Sequence, residues 1–213
     1  MSEAAENAAK RLILITPLLE DAAAFAPVLG EACRAAPIAA VIARSNATGE
    51  AALAQFRALA TPVQSSGAAL LLSEQNDLVS VAGADGAFFP SLPLLQAAMP
   101  SLAPGRIAGV GGLVTRHDSM VAAEAGVDFV LFGEPDAEGK RPGFSALVER
   151  VSWWAEIFQT SCCAYAGNLD EASLLLNARA DFIAFGEMLW TAPEGPAATI
   201  ARAAGLARVR EHA

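Results

Sequence analysis

The sequence is poor in the residue types that mark several common classes of protein. It has 14 Lys and Arg residues against 23 Asp and Glu residues, the net charge is −9, and no segment is basic. This balance argues against nucleic acid or an anionic membrane as a partner, because both attract positive charge. No apolar run reaches the roughly 18 residues that a transmembrane helix needs. The mean hydropathy of +0.39 comes largely from alanine in predicted helices, so we expect a soluble protein.

Cysteine is scarce as well. The three cysteines, Cys33, Cys162 and Cys163, match neither the spacing of a metal site nor a disulfide framework. We expect all three to be buried thiols, which is consistent with a reducing cytoplasm.

The first residues lack the features of a targeting segment. Residues 1–7 are polar and acidic, unlike a signal peptide or a transit peptide. No linker or change of composition divides the rest of the chain. We therefore predict a disordered tail over residues 1–10 and one domain over residues 11–213.

One local pattern occurs three times along the chain. A helix end passes through a small residue and an aspartate into a short apolar strand at residues 82–89, 125–133 and 178–186. The second and third copies continue into Phe-Gly-Glu, at 132–134 and 185–187. Recurring junctions of this kind indicate a chain that is built from repeated βα units.

The spacing of apolar residues predicts eight strands in strict alternation with eight helices. The predicted strands are 12–16, 37–42, 68–72, 86–89, 106–110, 128–132, 161–165 and 181–185. The predicted helices are 18–35, 49–60, 75–82, 92–103, 115–125, 144–158, 169–178 and 196–210. Strands that are apolar at nearly every position belong to a parallel sheet that is covered on both faces. Eight such units in 213 residues predict an α/β fold, a (β/α)8 TIM barrel, with a doubly wound open sheet as the alternative.

Two pairs of adjacent residues test this fold directly. Neighbouring residues of a strand point to opposite faces, so one of Cys162 and Cys163 should face the barrel interior and the other a helix. Trp153 and Trp154 lie on the predicted sixth helix and cannot both face the core. We expect one of them to pack inward and the other to mark a contact between subunits of a homodimer.

The mouth of the predicted barrel is where we place the candidate site. In this fold the residues just beyond the carboxyl end of each strand surround the active site. Three of these turns contain glycine, and bare backbone N–H groups at helix starts can hold a phosphate. Glycine in such turns is also ordinary turn chemistry. The candidate ligand-binding residues at the strand ends are Arg44, Ser73, Gly111, Gly167, Asn168, Gly186 and Glu187.

The longest polar loop at the mouth follows the predicted sixth strand, over residues 134–143. A loop of this length has the properties of a lid, and Lys140 within it is a suitable cation for a ligand's phosphate. A solvated surface loop is the alternative interpretation. The loop begins with Glu134, a candidate acid or base.

Several segments together resemble a known family. They are residues 12–16, Asp77-Leu78 followed by residues 83–86, and residues 125–133 followed by the loop with Lys140. Over residues 12 to about 204 the chain is similar to the thiamine phosphate synthase and thiazole tautomerase (TenI-like) family. The resemblance implies a (β/α)8 barrel and a phosphorylated ligand of the thiazole phosphate or thiamine phosphate type. Synthases of the family join a hydroxymethylpyrimidine diphosphate to thiazole phosphate with Mg²⁺, and its tautomerases aromatise thiazole phosphate without metal.

The residues that the synthases use for Mg²⁺ and diphosphate are carried over only in part. Of their Gln-x-Arg-x-Lys motif only Arg44 remains, since Asn46 stands where the lysine would be. Their Asn-Asp pair falls on Ser73 and Glu74, and their second metal aspartate falls on Pro93. Glu74 is thus the one remaining candidate ligand for Mg²⁺. Because Mg²⁺ normally neutralises the diphosphate that leaves, we expect little synthase activity.

The phosphate-binding half of the mouth matches the family better. Lys140 and Gly167 coincide with the family's lysine and glycine, whereas Gly111 and Gly186-Glu187 replace a serine and a Val-Ser pair. The tautomerases carry a proton-transferring histidine where this chain has Glu134. A carboxylate does the same work when burial raises its pKa toward neutrality.

The sequence therefore supports three hypotheses. The first is a thiamine phosphate synthase-like barrel that binds a thiazole phosphate-type ligand, with Lys140 and Glu134 as its catalytic residues. The second is a non-catalytic paralogue that binds a phosphorylated ligand or a partner. The third is a thiazole tautomerase, or another phosphosubstrate enzyme, that uses Glu134 for acid–base work.

Overall fold

Eight parallel strands form a closed barrel in which each strand pairs with its neighbours in sequence and β8 pairs with β1. The structure is a computed structural model that describes residues 11–102 and 104–211. The predicted tail, residues 1–10, lies outside the described residues. The strands are β1 (Leu12–Leu19), β2 (Ile38–Ser45), β3 (Ala69–Ser73), β4 (Gly86–Phe89), β5 (Ile107–Val110), β6 (Phe129–Phe132), β7 (Ser161–Tyr165) and β8 (Phe182–Phe185).

Helices alternate with the strands and cover the outside of the barrel. Within the described residues they are α1 (Ala22–Ala35), α2 (Gly49–Gln64), α3 (Val79–Ala82), α4 (Leu92–Ala98), α5 (Arg116–Glu124), α6 (Phe144–Ile157), α7 (Leu169–Asn177), α8 (Glu187–Trp190) and α9 (Pro196–Glu211). Short 3₁₀ turns precede α3 and follow α4. None of these helices has both the length and the apolar character that crossing a membrane requires. The (β/α)8 prediction is confirmed, and the open-sheet alternative is wrong because β1 and β8 close the ring.

The predicted boundaries differ from the structure by three residues or more at several places. Strand β2 ends at Ser45 and not at residue 42, α2 ends at Gln64 and not at residue 60, and α4 ends at Ala98 and not at residue 103.

Further differences lie around β1 and after β8. Strand β1 continues to Leu19, because Leu18 and Leu19 still pair with β2 beyond a register shift. Helix α1 therefore begins at Ala22 and not at residue 18, and the Asp21 side chain caps it by accepting the N–H of Ala24. The extra helix α8 was not predicted, because four residues are too few to show a helical period.

Side chains alternate between two apolar layers along each strand. One layer fills the barrel interior and the other packs between the sheet and the helices. Cys163 lies in the interior layer and Cys162 in the outer layer, so the prediction for this pair is confirmed. Of the tryptophan pair, Trp154 is fully buried, while Trp153 is partly exposed and stacks against Arg116 at 4.7 Å.

The aspartate of the repeated sequence pattern has one structural role in all three copies. It stands just before an even-numbered strand, and its carboxylate accepts a backbone N–H of the preceding strand at 2.8 Å. Its own N–H donates to the carbonyl of that same residue at 2.8 to 2.9 Å. The pairs are Asp85 with Leu70, Asp128 with Ala108, and Asp181 with Cys162. These paired bonds fix the register of neighbouring strands at the end of the barrel opposite to the mouth.

We predict that this aspartate contributes measurably to stability at Asp85, which is partly buried and also accepts Gln64 Nε2 at 2.9 Å. Asp85→Ala removes the oxygen that accepts both hydrogen bonds and should lower the free energy of unfolding by about 1–3 kcal/mol, the cost of leaving a buried donor unpaired. Asp85→Asn keeps an acceptor and should lose less than about 1 kcal/mol. Urea unfolding followed by circular dichroism measures the difference. Asp77→Ala, which removes an exposed carboxylate, is the control, and an equal loss in the two alanine variants would contradict the role of Asp85.

Candidate active site

The alternation of side chains along the strands decides which candidate residues face the mouth. Inward-facing residues form the interior layer, and in a strand every second residue points inward. Counting on by twos from the interior residues of five strands gives the inward-facing positions at their carboxyl ends, which are Arg44, Ser73, Gly111, Gly167 and Gly186. Because all strands are parallel, these positions lie at one end of the barrel. The structure thus gathers at the mouth residues that are up to 142 positions apart in sequence, from Arg44 to Gly186.

Each of the three rim glycines lies against a polar side chain of the chain itself. A Cβ atom would collide with Glu134 Oε1 at Gly111, with Arg141 Nη1 at Gly167, and with the Tyr165 hydroxyl at Gly186. The missing side chains therefore make room for a carboxyl group, a guanidinium and a phenol. These three groups define the chemistry of the mouth.

Glu134 follows β6 and reaches across to the turn after β5. The N–H of Gly112 donates to Glu134 Oε1, and Gly112 can adopt its φ of 62° because it has no side chain. The residue as a whole is partly exposed, but its carboxyl group is desolvated against this turn. Desolvation raises the pKa of Glu134 to about 7, although the Gly112 N–H and the charge of Arg150 act in the opposite direction. A carboxyl group with this pKa can both take up and release a proton near neutral pH.

Arg141 lies over the turn after β7. Its Nε donates to the Gly133 carbonyl at 3.0 Å, and its Nη2 donates to the Tyr165 carbonyl at 3.1 Å. Nη2 also forms an ion pair with Glu171 Oε2 at 2.8 Å, and the Gly167 N–H donates to that same oxygen at 2.8 Å. Desolvation by itself would raise the pKa of Glu171, but the bonds from Arg141 and Gly167 keep it below its usual value. The guanidinium is therefore held in place by the backbone on one side and by a carboxylate on the other.

Tyr165 is the single tyrosine of the chain and stands between two arginines. Its ring belongs to the interior layer and is only 6% exposed, with the Arg141 guanidinium 5.0 Å from the ring centroid. Desolvation raises the pKa of the phenol, while the charges of Arg141 and Arg44 oppose that rise. Tyr165 thus forms the floor of the mouth between β7 and the turn that contains Gly186.

Arg44 and Glu187 complete the opposite side of this floor. Arg44 Nε donates to the Thr16 carbonyl at 2.8 Å, which fixes the guanidinium at the end of β1. Desolvation lowers the pKa of Arg44, and attraction to Tyr165 and Glu187 opposes that change. Glu187 is an exposed residue at the start of α8.

Lys140 does not join this group in the structure. It is exposed in the loop of residues 134–143, where its N–H donates to Asp136 Oδ1 at 2.7 Å in a local turn. The neighbouring Arg141, which the sequence did not single out, contacts the turn after β7. Asn168, a candidate ligand-binding residue, caps α7 by accepting the N–H of Glu171 at 2.8 Å.

Sequence reasoning missed Arg141, Tyr165 and Glu171 as site residues. The sequence does contain a signal for Tyr165. It lies two positions after Cys163 and therefore continues the inward face of β7. The only sequence signal of Glu171 is its place as a carboxylate in the first turn of a predicted helix, where a negative charge is ordinary. Arg141 has no sequence signal that separates it from Lys140, because the path of a polar loop decides which of two adjacent cations turns inward.

The comparison with protein families agrees with the geometry. A model described as thiamine monophosphate synthase (TMP-TENI) matches residues 12–210. The chain belongs to this family. It is 36% identical over 200 residues to a thiamine-phosphate synthase of Rhodospirillum centenum, which covers 90% of this chain and 94% of that protein. It is 30% identical over 203 residues to a thiamine-phosphate synthase of Hyphomonas neptunium, which covers 89% of this chain and 90% of that protein.

A solved structure has the same fold. Thiamine phosphate pyrophosphorylase from Pyrococcus furiosus superimposes with a TM-score of 0.75 at 18% identity, over 96% of this chain and 98% of that chain. The low identity means that this likeness concerns the arrangement of strands and helices and not the chemistry of the mouth.

The Mg²⁺ that synthases of the family use does not fit the residues of this chain. Glu74 is exposed and has a left-handed φ of 65°, and Pro93, which stands for the second metal carboxylate, has no ligating side-chain atom. In residues 11–102 and 104–211 no three or more His, Cys, Asp and Glu side chains form a cluster that could hold a metal ion. Mg²⁺ on a diphosphate is usually bound by one or two carboxylates that point at the ligand. Glu74 does not provide that arrangement.

The raised pKa of Glu134 predicts a pH-dependent stability. The folded protein binds this proton with a pKa of about 7, against about 4.5 for the unfolded chain, so stability falls as the pH rises between these values. Glu134→Gln removes the buried charge. The variant should match the wild type at pH 5 and be more stable by about 1–3 kcal/mol at pH 8.

Thermal unfolding at pH 5 to 8 measures this difference. Glu138→Gln, which changes an exposed carboxylate of the same loop, should follow the wild type at every pH. A Glu134→Gln variant whose advantage does not grow with pH would show that the carboxyl group is solvated.

Proposed function

We propose that the protein binds a phosphorylated heterocycle of the thiazole phosphate type at the mouth of the barrel, as a member of a family of thiamine biosynthesis. The support is the family match together with the donors at the mouth. Arg141 and the N–H of Gly167 lie together after β7, and Arg44 lies across the floor that Tyr165 forms. Guanidinium groups and backbone N–H groups at a helix start are the donors that phosphate prefers.

We infer proton transfer by Glu134 as the chemistry of the site. The observation that carries this inference is a carboxyl group with a pKa of about 7 inside the mouth. The Gly112 N–H donates to Oε1, which orients the carboxyl group. In an isomerisation of the non-aromatic tautomer of a thiazole phosphate, the ionised carboxylate takes a proton from the saturated ring carbon. The protonated carboxyl group then returns a proton to a conjugated position, and the ring becomes aromatic. The atoms balance without an oxidant, a reductant or a metal ion.

The relatives named thiamine-phosphate synthase favour a second candidate, the coupling of thiazole phosphate to a pyrimidine diphosphate. The residues of this chain argue against the coupling reaction. Asn46 stands where the synthases have a lysine, and Pro93 stands where they have a carboxylate that binds the metal ion. An assay with both synthase substrates and Mg²⁺ separates the candidates: formation of thiamine phosphate would establish the synthase.

Ligand binding without coupling or isomerisation would establish the non-catalytic alternative. Thermal stabilisation by a sugar phosphate and not by thiazole phosphate would indicate another phosphosubstrate enzyme. A cytoplasmic location and a homodimer that uses Trp153 stay predictions.

Calorimetric titration tests the proposed ligand. Thiazole phosphate should bind at least about tenfold more tightly than the unphosphorylated thiazole alcohol, because charge-assisted hydrogen bonds to the phosphate supply most of the affinity. Lys140→Gln should change the affinity less than about twofold, since the exposed lysine side chain lies outside the group of donors. Absence of heat from both compounds at millimolar concentration would contradict the proposal.

Isomerisation assays test the role of Glu134. Glu134→Gln should lower the rate by about a hundredfold or more, with the affinity for thiazole phosphate changed less than about threefold. The wild-type rate should rise as the pH passes through about 7, because the ionised carboxylate takes the first proton. Glu138→Gln is the matched control in the same loop. A rate that is independent of Glu134 would remove proton transfer from the proposed function.

A further inference from the structure

The donors that a ligand's phosphate would use after β7 are bonded to a carboxylate of the chain. Glu171 Oε2 accepts Arg141 Nη2 and the Gly167 N–H, each at 2.8 Å, while Arg141 Nη1 lies 3.5 Å from Oε1. An anionic oxygen that receives a guanidinium N–H and a backbone N–H at a helix start has the surroundings of a bound phosphate oxygen. A ligand phosphate and Glu171 cannot hold these donors together, because two anionic oxygens would meet at one place.

Arg141 is positioned independently of Glu171. Its Nε and Nη2 donate to the carbonyls of Gly133 and Tyr165, and its guanidinium lies 5.0 Å from the Tyr165 ring centroid. These three contacts keep the guanidinium at the mouth when the Glu171 side chain turns away. The donors therefore remain in place for another anion.

Glu171 can turn away without disturbing its helix. It is the third residue of α7, and its backbone N–H is capped by Asn168 Oδ1 at 2.8 Å. Its side chain is 20% exposed, so a change of rotamer moves the carboxylate into solvent. The Gly167 N–H loses its partner in that movement and becomes available to a ligand oxygen.

We propose that Glu171 and the ligand's phosphate compete for Arg141 and the Gly167 N–H, so that Glu171 is a positioning residue that sets the affinity of the site for anions. The class of ligand rests on the proposed function, whereas the competition rests on the contacts of Glu171 alone. The Glu171 carboxylate occupies these donors in the free protein and yields its place to the phosphate. Neutral ligands gain nothing from this exchange.

An ordinary helix cap is the alternative role for Glu171, and the variant Glu171→Gln separates the two. Glutamine keeps an oxygen that accepts the Gly167 N–H, so a capping role survives the substitution. The negative charge that competes with phosphate is lost. Asp170→Asn is the matched control, because it removes the same charge one residue earlier in the same helical turn, where the side chain is exposed.

The test measures binding of inorganic phosphate by ³¹P NMR line broadening at fixed ionic strength. Glu171→Gln should bind phosphate about tenfold more tightly than the wild type. The reason is that phosphate no longer has to displace a carboxylate from its charge-assisted hydrogen bond with Arg141. Asp170→Asn should change the affinity less than about twofold. Adding Arg141→Gln to Glu171→Gln should abolish the gain. Circular dichroism and thermal unfolding confirm that each variant is folded.

Two results would overturn the proposal. One is a Glu171→Gln affinity for phosphate that is equal to or weaker than that of the wild type, including no binding to either protein. The other is an equal gain in phosphate affinity in Asp170→Asn, which would show that the gain comes from the lower net negative charge and not from the contacts of Glu171.

A parallel titration with thiazole phosphate and its alcohol separates this proposal from the proposed function. If the substitution Glu171→Gln strengthens inorganic phosphate binding while neither thiazole compound binds, the proposed competition is confirmed and the proposed thiazole ligand is wrong. If thiazole phosphate binds equally to the wild type and to the variant, the thiazole ligand is correct and the competition is wrong. The affinity for the alcohol should be the same in both proteins.

Discussion

The pairing of β8 with β1 is the constraint on which the rest of the structure depends. Leu12, Ile13 and Leu14 pair with Ile183, Ala184 and Phe185, which closes the sheet and leaves it without an edge. Closure gives every strand the same inward face and brings the ends of β2, β5, β7 and β8 around one opening. An open sheet of the same strands would place the ends of β2 and β8 far apart, and the floor made by Arg44, Tyr165 and Glu187 would not exist.

The mouth is a site in which glycine makes space for the protein's own polar groups. A turn glycine is often read as a place where a ligand approaches the backbone, yet Gly111, Gly167 and Gly186 each accommodate a neighbouring side chain. The Gly111 N–H donates to the Phe89 carbonyl within the sheet, whereas the Gly167 N–H donates to the Glu171 side chain. Of these two N–H groups, the one of Gly167 is therefore the donor that an anion can use when a side chain yields.

The fold was predictable from the sequence because its signals are repeated. The aspartate junctions before β4, β6 and β8 and the apolar strands each occur several times. These repeats placed three of the eight strand starts at the same residue as in the structure and the other five within one residue of it. The site was predictable only where the alternation of inward and outward residues along a strand applies. This alternation locates Arg44, Ser73 and the rim glycines. The choice between Lys140 and Arg141 depends instead on how one irregular loop packs, and an irregular loop has no periodicity. The desolvation of Glu134 likewise depends on a contact between two turns that are 22 residues apart.

The repeated aspartates lie at the amino-terminal end of the barrel, whereas the carboxyl group, the guanidiniums and the phenol lie at the other end. The features that hold the strands in register are thus separated by the length of a strand from those that meet a ligand. Mutation at one end leaves the other intact, so lineages that share this architecture are free to replace the residues of the opening one after another. A protein built in this way can lose one chemistry and acquire another without passing through an unfolded intermediate.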